Sequence, residues 1–170
     1  KHLPEPLAKQ VGYWREIGLE IQKGLDALTE ELRKAGERRR RPKGFGALSI
    51  EELSREILDW NRFKNRREVS SYTGLCPSEY SSGQSRSQGS VTKHGNPRVR
   101  HILVEGIWRL LRWQPNYKPV QAVQAATSKS ARKKCVVAAA RQLAVDLWRI
   151  STGQCTGEQL GLITVEGSED

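Results

Sequence analysis

The sequence has 170 residues, a formal net charge of +10 and a pI of about 9.9. This length suffices for one domain with a hydrophobic core plus an appendage, and the excess of positive charge favours a polyanionic partner such as nucleic acid. No apolar run approaches the roughly 18 residues of a membrane span, and no signal-peptide pattern opens the chain, so the composition argues against a membrane protein.

The three cysteines, Cys76, Cys135 and Cys155, are too few and too widely spaced for a disulfide framework. No histidine stands at zinc-ligand spacing from any of them, so we expect no metal site and no cofactor in this chain. Such cysteine usage indicates a reduced, cytoplasmic protein. The sequence contains no methionine and begins at Lys1, from which we expect a fragment of a longer protein or a truncated reading frame.

Residues 5–37 are predicted to form one long helix. Its apolar side chains recur at alternating steps of four and three residues from Leu7 to Leu32, with one gap at Gly18. This is the heptad seam of a coiled coil. Such a helix packs either on its own domain or against a second subunit. The regular spacing favours the second arrangement, so we expect a homo-oligomer joined through residues 5–37.

Four consecutive arginines, residues 38–41, follow the long helix and complement the negative end of its dipole. A glycine-containing turn then leads to Ser49 and Glu52, which have capping-box spacing and predict a second helix that ends near Trp60. Helix, glycine turn and helix are the outline of a helix-hairpin-helix, in which backbone N–H groups hold a DNA phosphate. The candidate contacts in this turn are Lys43, Gly44 and Gly46.

A short helix is predicted from about Lys64 to Thr73, and Gly74 terminates it. It carries Arg66 and Arg67, two candidate contacts to nucleic acid.

Residues 74–100 are rich in serine, glycine and cationic side chains and poor in apolar ones. Six serines lie between Ser78 and Ser90, and we predict a long loop there. Serine hydroxyls beside arginines and a helix N-terminus suit phosphate binding or phosphodiester chemistry. Ser82, which precedes a glycine, is a candidate nucleophile, although Ser-Gly is also an ordinary loop dipeptide. The nearby cations that could stabilise a phosphoryl group are Arg86, Lys93, Arg98 and Arg100.

Two more long helices are predicted. Asn96 caps the first, which has Pro97 at its first position and continues to about Trp113; the second spans about residues 129–151. Because no strand pattern of useful length occurs, the sequence predicts an all-α protein. It consists of a long coiled-coil helix followed by a compact helical domain, with a helix-hairpin-helix-like element and a long serine/glycine loop. The predicted domains are the coiled-coil helix with its basic linker, 1–41, and the helical domain, 42–170.

Positive charge is concentrated in the middle of the chain. Between Asn61 and Cys135 stand fifteen lysines and arginines against three acids, a local balance of +12. A nucleic-acid-binding face therefore belongs to this central portion. The five tryptophans fall mostly at apolar helical positions and are predicted to be core residues rather than base-stacking platforms.

Several blocks of the sequence, in order, resemble one family. They are RPKGFGALSIEEL, the NRREVSSYTGLCPSE block, the Ser-Ser-Gly step, TKHGNPRVR and, in the final helix, AAARQLAVDLWRI. The region of about residues 42–165 resembles the C-terminal domain of the DEDD-type insertion-sequence transposases, a group described as bridge-RNA-guided recombinases. The long helix before it is similar to the coiled coil that precedes this domain in the family.

The resemblance implies a divided active site. An N-terminal RNase-H-like domain supplies four acids that bind divalent metal, and the C-terminal domain supplies a serine that attacks DNA and forms a covalent phosphoserine link. The serine of the Ser-Gly step is Ser82 here, with Ser81 as the competing neighbour. The residues that match the basic block of the family, and that the resemblance implies as contacts to DNA or RNA, are Lys93, Gly95, Asn96, Arg98 and Arg100.

The resemblance also implies the partners, which are DNA and a structured guide RNA. The resemblance further implies that divalent metal is bound in the N-terminal domain of the family. The acids in residues 5–37 are interpreted as the solvated face of the long helix rather than as metal ligands. Two alternatives stay open. In the first, the chain is a non-catalytic protein, either a helix-hairpin-helix-like DNA-binding module or a truncated transposase remnant. In the second, it is an interaction protein that dimerises through residues 5–37.

Overall fold

The computed structural model of the chain describes residues 4–82 and 85–167, and at residues 79–82 and 85–88 it describes the backbone alone. Within these ranges the fold is mostly helical and begins with a long helix, which confirms the predicted class. The helices are α1 (Glu5–Glu37), α2 (Ala47–Ile57), α3 (Arg66–Thr73), α4 (Pro97–Trp113), α5 (Lys118–Gln124) and α6 (Lys129–Ser151). The strands are β1 (Arg41–Pro42), β2 (Pro77–Ser82), β3 (Ser85–Val91) and β4 (Thr164–Val165).

The core lies around α4 and α6. Both helices place an apolar face inward, and α2, α3 and α5 pack around them. Gly106 of α4 lies against the ring of Phe45, in a space that a Cβ would fill. The fully buried side chains at the centre include Leu103, Ile107, Leu110, Val120 and Leu143. Among the described residues, no helix combines the length and apolarity needed to cross a bilayer.

Helix α1 extends away from this core. Its 33 residues span about 50 Å at 1.5 Å per residue, and most of its surface is exposed. Its C-terminal end is the part that packs, because buried Gly36 lies directly against the backbone of Ala47 at the start of α2. The apolar seam that begins at Leu7 is about half exposed or more as far as Leu28, so this chain does not itself cover the predicted coiled-coil face.

The arginines after α1 have separate structural roles. Arg41 donates hydrogen bonds of 3.3 and 3.1 Å to the carbonyl oxygens of Gly36 and Glu37, so it satisfies the C-terminus of the helix as predicted. Arg39 pairs with Glu51 of α2 at 2.5 Å.

Helix α2 differs from its prediction at both ends. Gly46 occupies the N-cap, and no side chain caps the helix, so the predicted capping box of Ser49 and Glu52 is wrong. The helix ends at Ile57 because Leu58 takes a positive φ of 63°, a conformation that stops a right-handed helix. Residues 60–62 form a separate 3-10 turn.

The N-cap of α4 and the end of α3 agree with the sequence. Asn96 caps α4 by accepting hydrogen bonds from the backbone N–H groups of Arg98 (2.9 Å) and Val99 (3.2 Å), and Pro97 is the first helical residue. Gly74 ends α3 in the left-handed conformation, with φ 65°. Helix α6 also has its predicted bounds, with Ser128 as the N-cap.

The predicted serine/glycine loop contains an antiparallel hairpin, so the expectation of a structureless segment is wrong. Strands β2 and β3 pair from Pro77 opposite Val91 to Ser82 opposite Ser85, with an irregularity between Pro77 and Glu79. Antiparallel pairing satisfies the backbone N–H and C=O groups whatever the side chains are. These strands lack the alternation of apolar and polar residues by which a strand is recognised in a sequence, so they were not predicted.

The C-terminal tail docks on the start of the helical domain. Strand β4 pairs with β1, and Leu162 is buried. The buried amide of Gln114 fixes this arrangement, because its Nε2 donates to the carbonyl oxygens of Ile163 (2.7 Å) and Lys43 (3.0 Å).

The tryptophans are mostly not core residues, contrary to the prediction. Trp148 is buried, but Trp14, Trp108 and Trp113 are 66%, 41% and 48% exposed. Trp108 and Trp113 lie on α4, whose neighbouring face already fills the core, and Trp14 lies on α1, which extends away from the core. An apolar position in the helical pattern therefore did not guarantee burial.

Candidate nucleic-acid interface

The start of α4 and the end of α2 are joined by a polar cluster around Asn96. Its Nδ2 donates to Glu56 Oε2 at 2.7 Å and to Tyr72 Oη at 3.2 Å. The Tyr72 hydroxyl in turn donates to the backbone carbonyl of Glu56 at 2.8 Å. Since both ends of the Asn96 amide have protein partners, a contact from this side chain to nucleic acid stays a prediction, and its evident role is structural.

Arg98 pairs with the same carboxylate. Its Nη1 lies 2.9 Å from Glu56 Oε1, while its side chain stays 73% exposed. Hydrogen bonds from Asn96 and Arg98 lower the pKa of Glu56 below its usual value, and the Glu56 partner raises the pKa of Arg98. Arg98 therefore presents an exposed guanidinium whose position is fixed by Glu56.

Arg100 points the other way along α4 and lies at the end of α3. Its Nη1 is 3.3 Å from the carbonyl oxygens of Thr73 and Lys93, where a cation complements the negative end of a helix dipole. Gly74 and Gly95 meet in backbone contact beside it, with no space for a Cβ on either residue. Arg100 and Gly95 thus hold the base of the hairpin in place.

Lys93 is exposed and adopts a positive φ of 57°. Its N–H donates to the carbonyl oxygen of Gly74 at 3.1 Å, which closes the hairpin base. Its ammonium group makes no hydrogen bond or ion pair with any residue that the structure describes.

The turn before α2 brings cations and an exposed aromatic ring together. Gly44 has φ +95° and lies against Trp113, so both its backbone and its contact exclude a side chain. The Nζ of Lys43 lies 5.8 Å from the centre of the Trp113 ring, and Arg112 lies at the same distance. Gly46, the third residue predicted here, is the N-cap of α2.

The candidate nucleophile lies at the far end of β2. Ser82 is the last residue of that strand, and Ser81 stands opposite Arg86 in the backbone register. An extended strand rises about 3.3 Å per residue, so Ser82 lies about 17 Å along the strand from Pro77. The hairpin thus carries Ser82 away from Arg98 and Arg100, and the backbone register places Arg86 near it.

Arg66 and Arg67 occupy the exposed first turn of α3. They face a cleft whose opposite wall is α6, and that wall adds Arg141 and Arg149. The sequence analysis missed these two arginines because they lie beyond the central basic region. Their spacing of eight residues, two helical turns on one face of α6, was the signal that could have indicated them.

Acidic metal ligands do not converge in the described part of the chain. Among those residues, no group of three or more His, Cys, Asp or Glu side chains could hold a metal ion. The three cysteines are free and half-buried. The described residues of the site are thus cationic and offer no donor set for a divalent ion.

The described residues thus combine a mostly helical fold, a cationic surface and a serine-rich hairpin backbone. Residues 37–121, half of the chain, match the Transposase IS116/IS110/IS902 family. The chain belongs to this family.

Two relatives are similar to the same region. A protein of Sinorhizobium fredii (strain NBRC 101917 / NGR234), y4rJ, which is named as a candidate transposase, is 37% identical over 113 residues, covering 63% of this chain and 28% of the relative. The transposase for insertion sequence element IS1111A of Coxiella burnetii is 29% identical over 115 residues, covering 66% of this chain and 32% of the relative. The matched part thus spans about a third or less of these relatives.

Proposed function

We propose that this chain is the nucleophile-bearing C-terminal part of an insertion-sequence transposase and that it acts in DNA transposition. The observation that carries the proposal is the combination of family membership with a hairpin that holds Ser82 at the far end of β2. A cytoplasmic site of action fits the three free thiols.

The proposed reaction is a transesterification. The Oγ of Ser82 forms a bond to the phosphorus of a DNA phosphodiester, and the bond from phosphorus to one deoxyribose oxygen breaks. The serine proton leaves with the released hydroxyl, so the products are a phosphoserine-linked strand and a strand that ends in a hydroxyl. Cationic side chains stabilise the charge that develops on the phosphoryl oxygens, and Arg86 is the nearest candidate in the backbone register.

Divalent metal would have to come from outside the described residues. Their acids do not converge, so they do not fit a metal ion and no step of the proposed reaction runs through one here. We propose, as the family resemblance implies, that an N-terminal RNase-H-like domain binds the metal. The partners that we propose are DNA and a structured guide RNA, for which Arg98, Lys93 and Lys43 offer exposed cations.

Self-association through α1 is part of the proposal. The seam residues Val11, Ile21, Leu25 and Leu28 are between 50% and 58% exposed, and their heptad spacing fits a second copy of the same helix. Such a pairing would bury one apolar face that the chain itself leaves in solvent.

The covalent intermediate tests the nucleophile. In the full-length transposase that contains this chain, Ser82→Ala is expected to abolish the protein–DNA adduct, measured by denaturing gel with a labelled DNA end. Ser81→Ala is the matched control and should keep the adduct. Loss of the adduct in Ser81→Ala alone would assign the reaction to Ser81, and an adduct in the double variant would refute the serine mechanism.

The second candidate function is a non-catalytic helix-hairpin-helix-like DNA-binding module. The observation that favours it is the turn of Lys43 and Gly44 before the N-terminus of α2, beside Trp113. In this case Lys43→Gln and Trp113→Ala would weaken binding of duplex DNA by the chain, and Ser82→Ala in the full-length protein would leave every measured activity intact.

A further inference from the structure

We propose that the cleft between α3 and the C-terminal half of α6 is a phosphodiester-binding site, which holds a nucleic-acid backbone beside the base of the β2–β3 hairpin. The proposal deepens the function above and rests on its nucleic-acid-binding part. We call this feature the arginine cleft. It is lined by Arg66, Arg67, Ser70, Ser71, Cys76, Arg141, Gln142, Val145 and Arg149.

The lining of the arginine cleft is cationic without an acidic counterpart. Four of its nine lining residues are arginines and none is an aspartate or glutamate. Its volume is about 460 Å³, within the range of sites that hold small ligands or parts of larger ones. Arginine presents a planar fork of N–H donors that matches phosphate oxygens, so the side-chain chemistry favours a phosphate group.

The two arginines of α6 are half-buried and lack a partner among the described residues. The guanidinium groups of Arg141 and Arg149 make no hydrogen bond or ion pair with any described residue. Removing a guanidinium from water without a counter-ion is unfavourable, and bringing several together adds repulsion. An anion in the cleft would relieve both costs.

The nearest acid does not neutralise the cleft. Asp146 lies on the adjoining face of α6, in a neighbouring cleft that Arg141 and Arg149 also border. Its carboxylate instead accepts hydrogen bonds from Tyr117 at 2.5 Å and from Gln142 at 2.8 Å.

Helix geometry spaces the cations along the cleft. Arg141, Val145 and Arg149 stand one turn apart on α6, so the two arginines start about 12 Å from each other along the helix axis. Arg66 and Arg67 contribute the opposite wall from the first turn of α3. Cations that are spread over this length suit consecutive phosphates of a strand better than a single small anion.

The arginine cleft adjoins the element that carries the candidate nucleophile. Cys76 lines the cleft and directly precedes β2, whose last residue is Ser82. A nucleic-acid backbone held here would therefore lie at the base of the hairpin.

Binding of labelled nucleic acid by the full chain tests the proposal. Fluorescence anisotropy with duplex DNA and with an RNA hairpin would be measured over a series of salt concentrations. The variant Arg141→Gln/Arg149→Gln should bind about tenfold or more weakly, and the slope of log affinity against log salt should fall by about 2, since each lost phosphate contact removes about 0.9. The control Arg15→Gln/Lys23→Gln removes the same charge from the exposed surface of α1 and should change affinity less than about threefold, with an unchanged slope.

The two probes identify the source of the phosphodiester. Loss with DNA, with RNA or with both supports the site and names its ligand. Equal affinities and slopes for the cleft variant and the α1 control would overturn the proposal. So would a cleft variant that loses binding of poly-glutamate but keeps both nucleic acids, because the cleft would then bind acidic peptide.

A variant on the opposite wall guards against a folding defect. Arg66→Gln/Arg67→Gln changes exposed side chains of α3 and should reproduce the loss of affinity and slope while keeping the circular-dichroism melting curve of the native chain. This test of binding does not depend on which residue is the nucleophile. The variant Ser82→Ala should bind nucleic acid like the native chain whether or not Ser82 forms an adduct.

Discussion

The side-chain amide of Asn96 donates a hydrogen bond of 2.7 Å to the carboxylate of Glu56. This bond connects the N-cap of α4 to the last turn of α2, and the other end of the same amide caps α4. The cap was predicted from the sequence, but the link from Asn96 to Glu56 is a structural role that the basic TKHGNPRVR block did not indicate.

Replacing Asn96 separates its two roles. Asn96→Ala removes the cap and should lower the free energy of unfolding by about 1–2 kcal/mol, measured by urea denaturation at pH 7. Asn96→Asp keeps a capping oxygen but places a carboxylate beside Glu56, so its instability should be relieved as pH falls and one of the two carboxylates binds a proton. A native-like denaturation midpoint for Asn96→Ala would show that the cap contributes nothing.

The ionisation of Glu51 should make the free energy of unfolding depend on pH in the acidic range. It is 2% exposed and pairs with Arg39 at 2.5 Å and Arg55 at 2.8 Å, and the hydrogen bond from Arg39 is the main cause of its lowered pKa. A pKa that is lower in the folded state means that the unfolded state binds more protons. The stabilisation is therefore present above about pH 4.5 and is lost as pH falls through the folded-state pKa.

Glu51→Gln tests this dependence. It should cost about 1–2 kcal/mol at pH 7, a moderate value because both arginines are largely exposed, and it should flatten the curve of unfolding free energy against pH below about pH 4.5. Urea denaturation at several pH values provides the measurement. Glu16→Gln on the exposed face of α1 is the control and should change stability by less than about 0.5 kcal/mol. An unchanged pH profile for Glu51→Gln would contradict the prediction.

The buried hydroxyl of Tyr117 should remain protonated in alkaline solution. Its O–H donates to Asp146 at 2.5 Å, and burial, followed by the Asp146 charge, raises its pKa well above the usual value of 10. The unfolded state ionises first, so this contribution to stability is complete below about pH 10 and decreases as pH rises further.

Tyr117→Phe should lower the free energy of unfolding by about 1–3 kcal/mol at pH 7, because Asp146 loses a donor. Ultraviolet titration to the highest pH at which the protein stays folded should give the same tyrosinate absorbance for the variant and the native chain. A smaller absorbance change in the variant would mean that Tyr117 ionises in the folded protein.

Gly18 offers a test of self-association through α1. It fills the gap in the apolar seam, and no atom lies within 4 Å of the position of its missing Cβ. Gly18→Leu should strengthen a dimer about tenfold or more, since each buried leucine contributes about 1.5 kcal/mol or more. Sedimentation equilibrium measures the change. Gly12→Leu gives the same gain in helix propensity off the seam and should leave the association constant unaltered, and a monomeric Gly18→Leu protein would refute the coiled coil.

Local chemistry in the sequence determined much of the helical part of this protein. Asn96 with Pro97 and Gly74 marked helix boundaries that the structure confirms, because capping depends on residues within one turn of the helix end. The bounds predicted for α4 and α6 also agree with the structure.

The tertiary structure decided what depends on residues far apart in the chain. The serine-rich segment forms a hairpin through backbone pairing that carries no apolar signal. Three tryptophans at apolar positions stay exposed, Trp108 and Trp113 on the outer side of α4 and Trp14 on a helix that extends away from the core. The arginine cleft joins residues 66 and 67 to residues 141 and 149. The sequence supplies these charges, but the packing of α3 against α6 brings them together, since burial of the apolar faces determines which polar side chains become neighbours.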